Sequence, residues 1–166
     1  FDMIDVTVVT PTYNRAHTLP KVFASLMAQT YKNFEWIVVD DGSTDNTEEL
    51  INSYKEQAWF PVRYAKKEHA GKYEAVNLSY ELVTTPYVIN CDSDDELLPD
   101  GLEIVMRLWD EVPKEKYDNI WCVTARSIDS ETREIVGPLF PDNINELEGK
   151  EQRKVLVKIS GEKHSW

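Results

Sequence analysis

Cysteine is scarce in this chain of 166 residues: there are two, Cys91 and Cys122, each inside an apolar, strand-like run. Two cysteines so placed argue against a disulfide-built scaffold or a cysteine-rich zinc site, and they read as buried free thiols of a reducing compartment. Basic residues are also short. Eighteen Lys and Arg stand against thirty Asp and Glu, a net charge of −12, which argues against a general nucleic-acid surface. No apolar run approaches the length that crosses a bilayer, and Phe1 to Asp5 lack the basic-then-apolar order of a secretory signal. Also missing are a Gly-x-Gly-x-x-Gly or Walker loop after the first apolar run and any Gly-x-Ser-x-Gly elbow. Their absence weakens dehydrogenase, NTPase and serine-hydrolase readings.

What is present is a soluble globular composition, 42% hydrophobic and 29% charged, in which apolar runs alternate with amphipathic segments. That alternation is the pattern of an α/β sheet. Strands are expected at Val6–Thr10 (stopped by Pro11), Phe34–Val39, Val62–Ala65, Tyr87–Cys91 and Asn119–Thr124. Helices are expected at Leu19–Gln29, after Ser43 or Thr44 as N-cap, at Lys72–Leu82, at Pro99–Glu111 and over Lys150–Ile159. Ile135–Asn145, with Gly137, Pro138 and Pro141, reads as a loop. Strands joined through helices run parallel, and ligands in such sheets bind beyond the carboxyl ends of the strands.

Those ends carry the chemistry. Asp92-Ser93-Asp94 follows an apolar strand, and two carboxylates so spaced can share a hard divalent cation with a diphosphate; the alternative is an acidic turn before a helix. Asp40-Asp41-Gly42-Ser43-Thr44-Asp45 offers a carboxylate to a base N–H or a ribose hydroxyl, or else forms a capped turn. In Pro11-Thr12-Tyr13-Asn14-Arg15, Tyr13 can pack on a base and Arg15 can meet phosphate; a plain loop fits equally well. Gly71 and Lys72 open a helix whose N-terminus favours anions, while His69 reads as a solvated loop histidine.

Taken in order, Val8–Arg15, Ile37–Thr47, Gly71–Asn77 and Asn90–Asp95 resemble glycosyltransferase family 2, whose members have the GT-A fold, a Rossmann-like and mostly parallel sheet flanked by helices. The resemblance implies a single GT-A domain with a nucleotide-sugar-binding half over 1–98 and a partial acceptor-side half over 99–166. It implies that Thr10, Pro11, Thr12 and Tyr13 line the nucleoside pocket, that Asp41 accepts from the base N3–H of a uracil-type donor, and that Gly71, Lys72, Asn77 and Ser93 also face the nucleotide sugar. Asp92 would contact the ribose region and share with Asp94 a Mn²⁺ or Mg²⁺ on the diphosphate. The implied reaction moves a sugar, with inversion, from a UDP-type donor to a carbohydrate or glycolipid acceptor, as in polysaccharide synthesis. The implied setting is the cytoplasm, free or at a membrane surface.

Two departures stand out. Ala75-Val76-Asn77 replaces the family's Ala-Arg-Asn, so Lys72 or Arg15 is expected to serve the phosphates in place of that arginine. The family's general base belongs to a Glu-Asp pair, and here Gly161-Glu162-Lys163 leaves Glu162 as the candidate, in a chain expected to stop before its acceptor half is complete. A non-catalytic nucleotide-sugar-binding module and a sugar nucleotidyltransferase are the alternatives; the latter wants a Gly-rich basic loop that Pro11-Thr12-Tyr13 does not supply.

Overall fold

The computed structural model describes residues 4–112, 127–129 and 131–136. The expected strand at 119–124, the helix over 150–159, Cys122 and Glu162 lie outside them. The chain divides into two compact units, Phe1–Ile104 and Val105–Trp166.

The first unit is a parallel sheet of four strands, β1 (Val6–Thr12), β2 (Phe34–Asp40), β3 (Val62–Lys66) and β4 (Tyr87–Asn90), in the order β3-β2-β1-β4. Helices α1 (Leu19–Met27), α2 (Thr47–Gln57) and α3 (Lys72–Leu82) make the crossovers. Every residue of β1 and β2 is buried, as expected of central strands covered on both faces. Side chains alternate across the sheet. Trp36 and Phe34 point to the α1–α2 side, where Phe23, Tyr54 and Phe60 complete an aromatic cluster. Val9, Ile37 and Val39 point to the other side and pack with Ala75, Leu78 and Leu82 of α3. The strand order reverses between β1 and β4, which makes that pair the topological switch point.

Pro11 does not end β1. In a parallel strand successive residues bond alternately to the two neighbours. The carbonyls of Asp5 and Val9 accept from Tyr87 and Cys91 N–H on the β4 side, and that of Thr12 accepts from Asp41 N–H on the β2 side. Pro11 therefore faces β4, whose pairing with β1 ends at Val9↔Asn90, and its missing N–H costs no ladder bond. The strand runs on to Thr12.

The cap of α2 also differs from the sequence expectation. The N-cap position is Asn46, without a side-chain bond, while Asp45 Oδ1 accepts from Thr47 N–H and its hydroxyl. Ser43 and Thr44 are spent on a neighbouring loop instead. Helix α4 (Gly101–Asp110) starts past Pro99, and its Leu102 N–H donates to the Oε1 of Gln29, a residue with no exposed surface. In the second unit the described residues include a short antiparallel pair, β5 (Ser127–Ile128) and β6 (Ile135–Val136). Ile135 and Val136 are thus strand residues where the sequence suggested a loop. Between them Asp129 Oδ1 accepts from the N–H groups of Glu131 and Thr132.

Candidate functional site

The four loops singled out in the sequence meet at the carboxyl rim of the sheet. Asn14, in the left-handed region at φ 51°, is one of the few residue types that tolerate it. Its N–H donates to Ser43 Oγ at 2.8 Å, and its Oδ1 accepts from Thr44 N–H at 2.8 Å, which staples the loop after β1 to the loop after β2. Asp45 Oδ2 adds an acceptor for Ala16 N–H. Burial alone would raise the Asp45 pKa, but the Thr47 hydroxyl and the Ala16 and Thr47 N–H groups hold it below its ordinary value.

Asp41 is the centre of the rim. It is 2% exposed, and its carboxylate accepts three hydrogen bonds from the loop between β3 and α3, with the His69 ring beside it. Oδ1 accepts from Ala70 N–H at 3.0 Å and from Lys67 Nζ at 3.0 Å. Oδ2 accepts from Gly71 N–H at 2.8 Å and lies 2.7 Å from His69 Nδ1. Burial pushes its pKa up, yet the Ala70 N–H, the Lys67 ammonium and the Gly71 N–H outweigh burial and leave it lowered. Asp41 is therefore a carboxylate near neutral pH. The same loop lies tightly over Gly42, at φ 84°, where an added Cβ would meet His69 N at 2.9 Å. Gly71, at φ 105°, has nothing within 4 Å of such a Cβ, so its backbone is open to approach.

His69 is an exposed loop residue, but its ring is engaged. Its ring stacks on Tyr13 with centroids 4.2 Å apart and 20° between planes. Its Nδ1 faces both the Asp41 carboxylate and, at 3.1 Å, the Asp41 carbonyl. Both are acceptors, which favours the tautomer with the proton on Nδ1.

Two ion pairs span the mouth of the switch point. Lys72 Nζ lies 2.8 Å from Asp92 Oδ2, and Arg15 Nη1 lies 3.7 Å from Asp94 Oδ2. Asp95 has a raised pKa because of partial burial and because Asp92 and Asp94 repel its charge. The thiol of Cys91, buried and free, is pushed up to about 12 by burial and then by Asp95, Asp92, Asp94 and Glu96, so it is no nucleophile here. Among the described residues no group of three or more His, Cys, Asp or Glu side chains is arranged to hold a metal ion. Asp92 and Asp94 nonetheless offer hard oxygen donors of the kind a divalent cation takes when phosphates complete its shell.

Tyr13, Arg15, Asp41, Gly71, Lys72, Asp92 and Asp94 are thus brought together. Thr10 is turned inward and its hydroxyl accepts from Trp36 Nε1. Pro11 lies within β1, Ser93 is buried beside the acidic pair, and Asn77 is exposed on α3, apart from this contact network. Thr12 Oγ1 is the one buried side-chain polar atom without a hydrogen-bond partner among the described residues. Sequence reasoning missed Lys67, and His69 as a contact of Asp41. The signal available was a Lys-Glu-His run two residues ahead of the glycine that opens a helix.

This parallel sheet flanked by helices has the GT-A glycosyltransferase fold, which its structural neighbours share. The chain belongs to glycosyl transferase family 2, whose profile matches residues 7–160. It is 36% identical over 106 residues to an uncharacterized glycosyltransferase of Rickettsia felis, covering 64% of this chain and 17% of that protein. It is 36% identical to the glycosyltransferase GlyA of Streptococcus pneumoniae, covering 61% of this chain and 14% of that protein. Among solved structures, S. aureus TarS 1-349 in complex with UDP superposes with a TM-score of 0.61 at 27% identity, covering 64% of this chain and 32% of that one. The mannosyltransferase PcManGT of Pyrobaculum calidifontis, in complex with GDP-Man and Mn²⁺, gives 0.61 at 28% identity, covering 67% and 33%. The chain thus spans a third or less of the length of each of these proteins. No helix among the described residues is long and apolar enough to cross a membrane.

Proposed function

We propose that this chain is the donor-binding part of an inverting glycosyltransferase that takes its sugar from a nucleoside diphosphate-sugar, with uracil as the base. The observation that carries this reading is the convergence of a buried, ionised Asp41, the Tyr13 ring, the cations Lys72 and Arg15, and the carboxylates Asp92 and Asp94 on one rim. An aromatic face and a carboxylate suit a base that carries an N–H. The cations and the N-terminus of α3 suit a diphosphate. The UDP held by TarS supports a uracil base, and the GDP-Man and Mn²⁺ held by PcManGT support a nucleoside diphosphate-sugar with a divalent metal.

Asp94 and Asp92 are the residues that would hold Mn²⁺ or Mg²⁺, which when bound adds positive charge beside the departing diphosphate. Asp41 orients the base, and Lys72 and Arg15 neutralise phosphate oxygens as the donor seats. In the transfer, the acceptor hydroxyl oxygen bonds to the anomeric carbon as the bond to the diphosphate breaks on the opposite side. The hydroxyl proton goes to a carboxylate, for which Glu162 is the candidate. The acceptor is a carbohydrate or glycolipid, in polysaccharide or related glycoconjugate synthesis. A cytoplasmic setting, free or at a membrane surface, accords with the buried free thiol of Cys91.

Calorimetric titration of UDP, GDP and dTDP, with and without Mn²⁺, tests the proposal. UDP is expected to bind most tightly, to need the metal, and to lose that need together with most of its affinity in Asp94→Ala. A folded chain that binds none of the three sinks the reading.

A further inference from the structure

The His69 ring makes, within the chain, the contacts that the proposed function gives to the donor's base. It stacks on Tyr13 at 4.2 Å and sets its Nδ1 2.7 Å from the Asp41 carboxylate. A base cannot slide between Tyr13 and His69 as they stand, since a 4.2 Å separation is already direct ring contact. Nor has Asp41 an acceptor position to spare. A carboxylate offers about four lone-pair sites; Ala70, Gly71 and Lys67 donate to it, and His69 Nδ1, 2.7 Å from Oδ2, crowds what they leave. Two of those neighbours are backbone N–H groups held by the entry to α3, where Gly71 occupies the N-cap position. The other two are side chains. Lys67 Nζ has a second acceptor in the Glu68 carbonyl, whereas His69 is more than half exposed and can swing outward without opening the fold.

The geometry points to His69 as a built-in occupant of the base subsite, a ring that leaves Tyr13 and Asp41 when a nucleotide enters and returns when it departs. This rests on the donor-site reading above and deepens it. The free chain spends part of its binding free energy on displacing its own imidazole, so apparent affinity is lowered by the fraction of time the ring is seated. The occupant also keeps the Asp41 carboxylate paired while no donor is bound, which an apolar side chain at position 69 would not do.

The test is UDP binding to the whole chain, wild type against His69→Ala, with thermal melts to establish that the variant folds. His69→Ala is expected to bind UDP roughly five- to tenfold more tightly. In parallel, the ring resonances of His69 in wild type are followed by NMR as UDP is added. They are expected to leave their stacked, Asp41-facing positions for those of a solvated imidazole. Equal or weaker binding by a folded His69→Ala, or ring resonances that stay in place at saturating UDP, overturns the inference while the donor site stands. If wild type and variant both fail to bind UDP, GDP and dTDP, the donor-site reading falls and takes the inference with it. Should His69→Ala not fold, the wild-type resonances decide alone.

Discussion

At the scale of single residues, Gly42 and Asp41 carry the most weight. Gly42→Ala would place a Cβ at a positive φ and 2.9 Å from His69 N, so strain and a backbone clash add. The left-handed backbone alone costs a non-glycine about 1–2 kcal/mol. Denaturant unfolding of Gly42→Ala is therefore expected to show a loss of at least that size, with no loss counting against the packing described. Asp41 links the same loop to pH. Its folded pKa lies below the ordinary aspartate value of about 3.9, so its contribution to stability is complete above that value and fades as pH falls through the lowered one. The stability gap between wild type and Asp41→Asn is expected to be widest near neutral pH and to narrow below about pH 4. A gap that widens on acidification contradicts the hydrogen-bonding account. Thr12 gives a third test, since its hydroxyl lacks a partner in the free chain. Thr12→Val should leave stability within about 0.5 kcal/mol of wild type or raise it, measured in the same unfolding experiments.

Elements were legible where local chemistry alone decides them. Lys72–Leu82 could be read with both ends because Gly71 opens it and Pro86 forbids its continuation. The end of β1 and the cap of α2 were not legible, for related reasons. Whether Pro11 breaks a strand depends on which neighbour its nitrogen faces and on how far that neighbour extends, and both are tertiary facts. Ser43 and Thr44 look like caps, but the loop stapled by Asn14 uses their groups and leaves Asp45 to serve Thr47. The N-terminus of α4 is a further case, because its cap comes from Gln29, just past the end of α1. Gln29, itself without exposed surface, accepts from Leu102 N–H and donates to the carbonyls of Ser25 and Leu98. Gln29→Leu keeps the volume and removes three bonds, so a loss of roughly 1–3 kcal/mol is expected. Amide exchange at Leu102 should quicken beyond what the global loss explains; unchanged protection there would refute the long-range cap.

For the molecule as a whole, the convergence of the loops could be read from sequence because parallel strands must deliver their carboxyl ends to one rim. The pairings on that rim could not, since nothing in the spacing of Lys67, His69 and Asp41, or of Lys72 and Asp92, says which charge answers which. Under the proposed function those pairings matter, because a chain with a net charge of −12 would have to attract a diphosphate against it. Long-range repulsion is screened by salt, whereas a direct cation–phosphate contact is weakened by it, so the two can be separated. Lys72 is the better placed of the two mouth cations, at the first position of α3 and already 2.8 Å from the acidic loop. Lys72→Ala removes a charge-assisted contact of about 1.5–3 kcal/mol, which is roughly ten- to a hundredfold in affinity. That loss is expected for UDP and not for uridine, which has no phosphate to meet. The variant should also lose less UDP affinity than wild type as salt is raised, because repulsion is then the larger part of what salt screens. Equal losses for UDP and uridine would mean that Lys72 shapes the rim through Asp92 instead of meeting the phosphates, and would leave Arg15 as the cation to test next.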